Sequence, residues 1–223
     1  MAFISVFDVI GPNMVGPSSS HTAGAASIAL LAKKMIGEPI KRIKFTLYGS
    51  FSKTYKGHGT DKALVGGILG FETDDVRIRD SFEIAKNSGL DFSFECNNQE
   101  FDDMHPNTVD MDIESVSGRK LIVRGESLGG GKVRLTRINS VKVQFTGEYH
   151  ALIVMQKDYP GVVAGITAIL SNLGVNIAFL RVFREEKGGL AYTIIESDEE
   201  ITERAVEEIR KNPVIKDVMT VKR

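Results

Sequence analysis

The sequence has no tryptophan, one cysteine and six prolines in 223 residues. Cys96 alone can form neither an intrachain disulfide nor the set of thiolates of a zinc or iron–sulfur centre, so any such centre would take its ligands from another chain. An excess of one charge is missing too. There are 28 Lys+Arg against 29 Asp+Glu, a formal net charge of -1, which leaves no positive field to draw in nucleic acid or an anionic membrane. No apolar run nears the ~18 residues of a bilayer span, and the longest candidate, Ile28 to Ala32, stops at Lys33-Lys34. Met1 to Val9 carries Asp8 and lacks the basic start, apolar stretch and cleavage site of a signal peptide, so the expected location is cytoplasmic.

What is present is a globular composition, 42% hydrophobic and 26% charged. At ~150 residues per domain the length suggests two unequal domains. The pattern changes near Thr146-Gly147-Glu148, which divides the chain into residues 1–147 and 148–223.

In the first part, Gly16-Pro17 leads into Ser18-Ser19-Ser20-His21-Thr22 and an Ala-rich stretch. Ile28, Leu31, Ala32 and Met35 recur at helical spacing, with Gly37 as a stop. Residues 41–48 alternate as a half-buried strand that ends at Gly49, and a loop is expected from there to His58. Thr60 or Asp61 can cap a second helix through Ala63, Leu64 and Ile68, in which Gly66-Gly67 suggests close packing against another backbone. Alternating segments over residues 91–145 predict an antiparallel sheet, hence an α+β domain.

The second part reads strand 150–156, helix 161–173, strands 175–183 and 190–196, helix 203–211 and strand 214–221. This βαββαβ order is ferredoxin-like. Gly174 past a helix end and Gly188-Gly189 in a hairpin agree with the apolar periods.

Five hydrogen-bonding side chains, Ser18, Ser19, Ser20, His21 and Thr22, sit where a helix start exposes N–H groups and the dipole favours an anion. One cap needs one oxygen, so the surplus suggests a site for a carboxylate or phosphate, with simple capping as the alternative. His58, in Gly57-His58-Gly59-Thr60-Asp61, is a candidate general base or else an inert loop histidine. His105 and His150 read as structural. Cys96 has no basic neighbour to make it reactive. In the second part, Asp158-Tyr159-Pro160-Gly161 and Asn176 can present backbone donors to a small amino acid, or the unit can be a packing module.

Together, Gly11-Pro12, Gly16-Pro17-Ser18-Ser19-Ser20-His21-Thr22, Tyr48-Gly49-Ser50 and Gly57-His58-Gly59-Thr60-Asp61 resemble the beta chain of iron–sulfur L-serine dehydratase. Residues 149–223 resemble an ACT domain. The resemblance implies deamination of L-serine to pyruvate and ammonia with a [4Fe–4S] cluster, whose cysteines belong to an alpha chain and whose open iron holds the substrate hydroxyl and carboxylate. No metal is then held by this chain. Ser18, Ser19, Ser20, His21, Thr22, Gly49 and Ser50 would line the substrate site, with His58, or failing it His21, as base. The first domain is also similar to the allosteric substrate-binding domain of some phosphoglycerate dehydrogenases.

Asp158, Gly161 and Asn176 would contact an allosteric ligand, and ACT units would pair as homodimers. Serine-binding ACT domains carry His-x-Asn where this sequence has Gln156-Lys157-Asp158, and a carboxylate there repels a ligand carboxylate. Two other classes compete: a noncatalytic amino-acid-sensing regulatory subunit and a pure assembly module.

Overall fold

The computed structural model describes residues 12–99 and 104–223, so Met1 to Gly11, including the Asp8 and Gly11 of the sequence arguments, lie outside the described residues. The chain forms two compact units, 1–139 and 140–223.

Unit 1 opens with a π-helical turn, Ser19–Ala23, that runs into α1 (Gly24–Ile36). Gly37 closes α1 in the left-handed conformation, φ 69°, with its N–H on Lys33 O, as expected of a glycine past a helix end. Then follow β1 (Ile40–Tyr48), α2 (Gly49–Thr54), α3 (Thr60–Leu69), a 3₁₀ turn (Val76–Asp80), α4 (Ser81–Asn87), β2 (Asp91–Asn97), β3 (Thr108–Ser115), β4 (Lys120–Gly129) and β5 (Lys132–Ile138).

The strands of the unit lie in the order β2-β1-β3-β4-β5. β1, β3, β4 and β5 are antiparallel neighbours, but β2 joins β1 in parallel. The cause is the connection between them: three helices and a 3₁₀ turn form a crossover that returns the chain to the same end of the sheet, which parallel pairing requires. The expected loop after residue 49 therefore contains a short helix, α2.

Alternation places Ile43, Phe45 and Leu47 of β1 beside Val109, Met111 and Ile113 of β3, all fully buried. Each such side chain stabilises the fold by roughly 1.5–3 kcal/mol. Helices α1 and α3 pack on one another through Gly67: a Cβ there would come 2.3 Å from Ala26 O and 2.7 Å from Ala29 Cβ, so only glycine permits this approach.

Unit 2 begins with β6 (Val141–Phe145) and continues β7 (His150–Lys157), α5 (Val162–Asn172), β8 (Ile177–Arg184), β9 (Leu190–Ser197), α6 (Glu203–Arg210) and β10 (Ile215–Val221). The strands β7 to β10 form an antiparallel sheet in the order β10-β7-β9-β8. Leu152, Val154, Ile195 and Val218 pack against Val162, Ile166 and Leu170 of α5 and Val206 and Ile209 of α6. The βαββαβ order expected from the apolar periods is present, and Gly174 and Gly188 have the positive φ values, 74° and 79°, that their turns require. Among the described residues no helix is long and apolar enough to cross a membrane.

Candidate active site

The site in unit 1 is assembled from three segments that lie far apart in sequence. Ser18 stays extended, φ -137° and ψ 123°, and its Oγ accepts the His21 N–H at 3.1 Å, which caps the π turn. The turn places the imidazole among hydroxyls: Nδ1 lies 3.0 Å from Ser20 Oγ and 3.4 Å from Ser18 Oγ, and Nε2 lies 2.8 Å from Ser50 Oγ. Ser19 contributes its carbonyl to Gly24 N–H.

Ser50 is brought to His21 by the end of β1. Gly49 turns the chain at φ 52°, and a Cβ on it would come 2.6 Å from Pro106 O. That carbonyl accepts the Ser50 N–H at 2.7 Å. The Tyr48-Gly49-Ser50 signal thus has a mechanical basis, a left-handed glycine that seats one backbone on another and aims a hydroxyl.

The third segment is Gly57-His58-Gly59-Thr60-Asp61. Its His58 ring lies 4.9 Å from the His21 ring, edge to face, and its carbonyl accepts the Thr22 hydroxyl at 2.9 Å. On another side of His21, the Phe51 ring stands 5.5 Å away, also edge-on. His58 Nδ1 is buried with no hydrogen-bond partner, and so is Thr60 Oγ1. The expected cap of α3 by Thr60 or Asp61 does not form: Gly59, φ 67°, is the N-cap without a side-chain bond.

Burial, and then the neighbouring His58, hold His21 below the ordinary histidine pKa. It is therefore neutral at pH 7, one ring nitrogen donating and the other accepting, between two hydroxyls on one side and Ser50 on the other. A neutral imidazole in that position relays or orients protons without adding charge to the site. Burial also pushes the Asp61 carboxyl up.

Two cavities open near these segments, one at Ser50 and one at His58. One, of about 440 Å³, is lined by Tyr48, Gly49, Ser50 and Thr54 together with Lys53, Asn98 and His105. The other, of about 360 Å³, is lined by Thr22 and His58 with Lys56, Lys62 and Arg79. Phe51, Lys53, Asn98, Lys62 and Arg79 escaped the sequence argument because they are single residues of common type with no motif around them. His105, read as structural, does accept the Asn107 N–H on Nδ1 at 3.1 Å, but it also faces the first cavity. His150 Nδ1 accepts the Arg223 N–H at 3.3 Å.

In unit 2, two of the three expected ligand contacts, the Asp158 carboxylate and the Asn176 backbone N–H, have partners within the unit. Asp158 accepts the Gly188 N–H at 3.0 Å and pairs with Arg184 at 2.9 Å, and these two contacts hold its carboxyl below the usual range. Asn176 N–H donates to Glu199 at 3.2 Å, and Gly161, φ 86°, is the N-cap of α5.

Unit 1 thus brings two histidine rings together on an α+β scaffold, His21 among serine hydroxyls and His58 at a cavity, and a ferredoxin-like unit follows it in the chain. Residues 5–137 match the family model described as serine dehydratase beta chain, and residues 150–214 match that of the ACT domain. The chain belongs to the serine dehydratase beta-chain family and carries an ACT domain at its C-terminal end.

It is 40% identical over 221 residues to the probable L-serine dehydratase beta chain of Bacillus subtilis, covering 99% of each chain. Against the L-serine dehydratase beta chain of Peptoniphilus asaccharolyticus the identity is 41% over 203 residues, 91% of each chain. It is also 25% identical over 199 residues to the D-3-phosphoglycerate dehydrogenase of Bacillus subtilis, covering 89% of this chain and 37% of that one.

Proposed function

We propose that this chain is the beta subunit of an L-serine ammonia-lyase and supplies the acid–base half of the active site. The meeting of the 18–22 and 57–61 segments, with the His21 and His58 rings 4.9 Å apart, is the observation that carries this reading. A sensor has no need of two adjoining imidazoles in a hydroxyl cage, whereas elimination of water from a β-hydroxy amino acid requires a proton to leave Cα and the departing oxygen to be stabilised.

His58 is the base that takes the Cα proton. His21, kept neutral, orients the substrate through Ser18, Ser20 and Ser50, and the aminoacrylate released by loss of water then tautomerises and hydrolyses to pyruvate and ammonia. Gly49 and Ser50 with Ser19 and Thr22 complete the substrate walls.

The [4Fe–4S] cluster would be held by a partner alpha chain, since this chain's donor set does not fit one. Cys96 is its single, exposed thiol, and among the described residues no group of three His, Cys, Asp or Glu side chains is placed to hold an ion.

We assign residues 1–147 to the catalytic domain and 148–223 to the ACT domain, with a cytoplasmic location. The ACT domain would bind a small amino acid near Asp158, Gly161 and Asn176. It would also pair with a second copy along β8, the edge of its sheet, where Phe179 and Val182 are exposed.

The test is reconstitution. The purified chain shows no serine deamination, and adding a cysteine-bearing partner chain under anaerobic conditions produces it. Full activity of the isolated chain, or none from the assembled pair, would refute the assignment.

A further inference from the structure

The cavity beside His58 has an unusual electrostatic feature. Several basic side chains of unit 1 are matched, Arg42 with Asp91, Lys44 with Glu95, Arg77 with Asp75, Arg124 and Arg137 with Asp110, and Arg134 with Glu126, while Lys34, Lys86 and Lys120 stand singly among the described residues, away from the cavities at Ser50 and His58. Lys56, Lys62 and Arg79 all line this cavity, and none of them forms an ion pair with a carboxylate among the described residues. No acidic residue lines it. Asp61, the nearest in sequence, stands outside the lining; it accepts the Lys62 backbone N–H at 2.8 Å and feels the charges of Lys62 and Lys56 without forming an ion pair with either.

The Lys62 ammonium is fixed by the Arg79 carbonyl at 2.7 Å, which ties the helix start to the 3₁₀ turn across 17 residues of sequence. Three like charges around one opening repel one another, and an anion entering it relieves that repulsion. The same cavity is lined by His58, whose Nδ1 is buried and unpartnered.

We infer that this cavity is the carboxylate-recognition site for the amino acid, with Lys62 and Arg79 as the residues that select a free α-carboxylate. The inference rests on, and deepens, the lyase reading. A carboxylate seated among these cations leaves its own Cα one bond away, facing the imidazole that takes the proton. Since a carboxylate offers about four lone-pair sites, contacts made to one oxygen by a partner chain leave the other free for Lys62 and Arg79. The rim then determines substrate class: amino acids with a free carboxylate enter, while amines without one are repelled.

Two measurements test this, on the assembled two-chain enzyme and on the full chain alone. In the assembled enzyme, Lys62→Met and Arg79→Met each raise KM for L-serine by about tenfold, the usual scale for losing one charge-assisted hydrogen bond, with kcat within about threefold and Arg79→Lys recovering part of the loss. In the chain alone, sodium acetate shifts the His58 imidazole proton resonance, identified through His58→Gln, and ethanolamine does not. The acetate shift vanishes in the Lys62→Met, Arg79→Met double variant.

An active enzyme whose KM is unmoved by either substitution overturns the inference, as does an acetate shift that survives in the double variant. Weaker subunit association with unchanged KM overturns it as well, in favour of an acidic segment of the partner chain as the occupant. If no assembled pair deaminates serine, the lyase reading fails, and the acetate titration still decides the cavity.

Discussion

The two units treat their polar groups differently. In unit 2 the charged residues at the start of α5 and β8 are matched within the unit, Asp158 with Arg184 and Gly188, Arg181 with Glu196. The unpartnered buried atoms there, Gln156 Oε1 and Thr193 Oγ1, are neutral and sealed, in residues 2% and 0% exposed. In unit 1 the unpartnered buried atoms fall in two places: Ser127 Oγ, Thr136 Oγ1 and the Nε atoms of Arg134 and Arg137 on β4 and β5, and His58 Nδ1 and Thr60 Oγ1 in the 57–61 segment, where Lys56, Lys62 and Arg79 line the adjoining cavity. At the 57–61 segment an unpartnered buried histidine nitrogen coincides with a cation-lined cavity, and that coincidence, which the sealed atoms of unit 2 lack, marks it as a place where a ligand completes the structure.

The largest expected effect breaks or upholds that contrast directly. In the assembled enzyme His58→Ala lowers kcat at least ~100-fold with the circular dichroism spectrum unchanged, the scale of lost acid–base catalysis, while Ser19→Ala chiefly raises KM. Near-normal kcat in His58→Ala would transfer the base role to His21.

Next in size is the packing beneath the site. Gly67→Ala drives a methyl into Ala26 O and Ala29, and overpacking of this kind costs about 1–3 kcal/mol, read as a lower denaturation midpoint at unchanged slope.

Unit 2 sharpens the contrast from the other side. Calorimetry of the full chain with L-serine gives a component of heat that Asn176→Ala removes, and sedimentation gives a dimer. A monomer with heat unaffected by that substitution would leave unit 2 as packing alone. Asp158 is held by Arg184 and Gly188 of the β8–β9 hairpin, so its substitution by Asn removes a negative charge and frees Arg184, and tighter amino-acid binding is the expected result.

The smallest effect concerns pH. The unfolded chain protonates His21 at the ordinary histidine pKa and the folded chain resists, so the stability held by the neutral ring is complete above about pH 6.5 and is lost as pH falls below it. A melting temperature that drops on going from pH 7.5 to pH 5.5, and drops less in His21→Gln, is the expected result.

How much of this was legible in sequence follows from what carries a local signal. Unit 2 was legible almost element by element, because its helices and strands have clean periods and glycines mark its turns. In unit 1, α1 and the Gly67 contact were legible for the same reason. Helix α2 was not, since Gly49-Ser50-Phe51-Ser52-Lys53-Thr54 has no apolar period and forms where β1 ends against Pro106. The parallel placement of β2 depends on the length and packing of a crossover, which no window of residues encodes. The serine run, His21 and His58 were recognisable as chemistry, but that their rings adjoin was not, because the contact spans 37 positions and is set by the packing of α1 on α3. Lys62 and Arg79 were invisible as a pair for the same reason.

The π turn at the start of α1 has one more consequence. Its bonds run back five residues, from Ala23 N to Ser18 O and from Gly24 N to Ser19 O, so it holds one residue more per turn than the helix it feeds. That surplus residue works as a spacer. Losing one serine from the run would let the turn close as ordinary α-helix and carry His21 away around the helix axis, whereas exchanging one serine for another small residue leaves the spacing as it is. The motif is therefore constrained first by its length and only then by its letters, and variation in related chains should replace residues here far more readily than it deletes them.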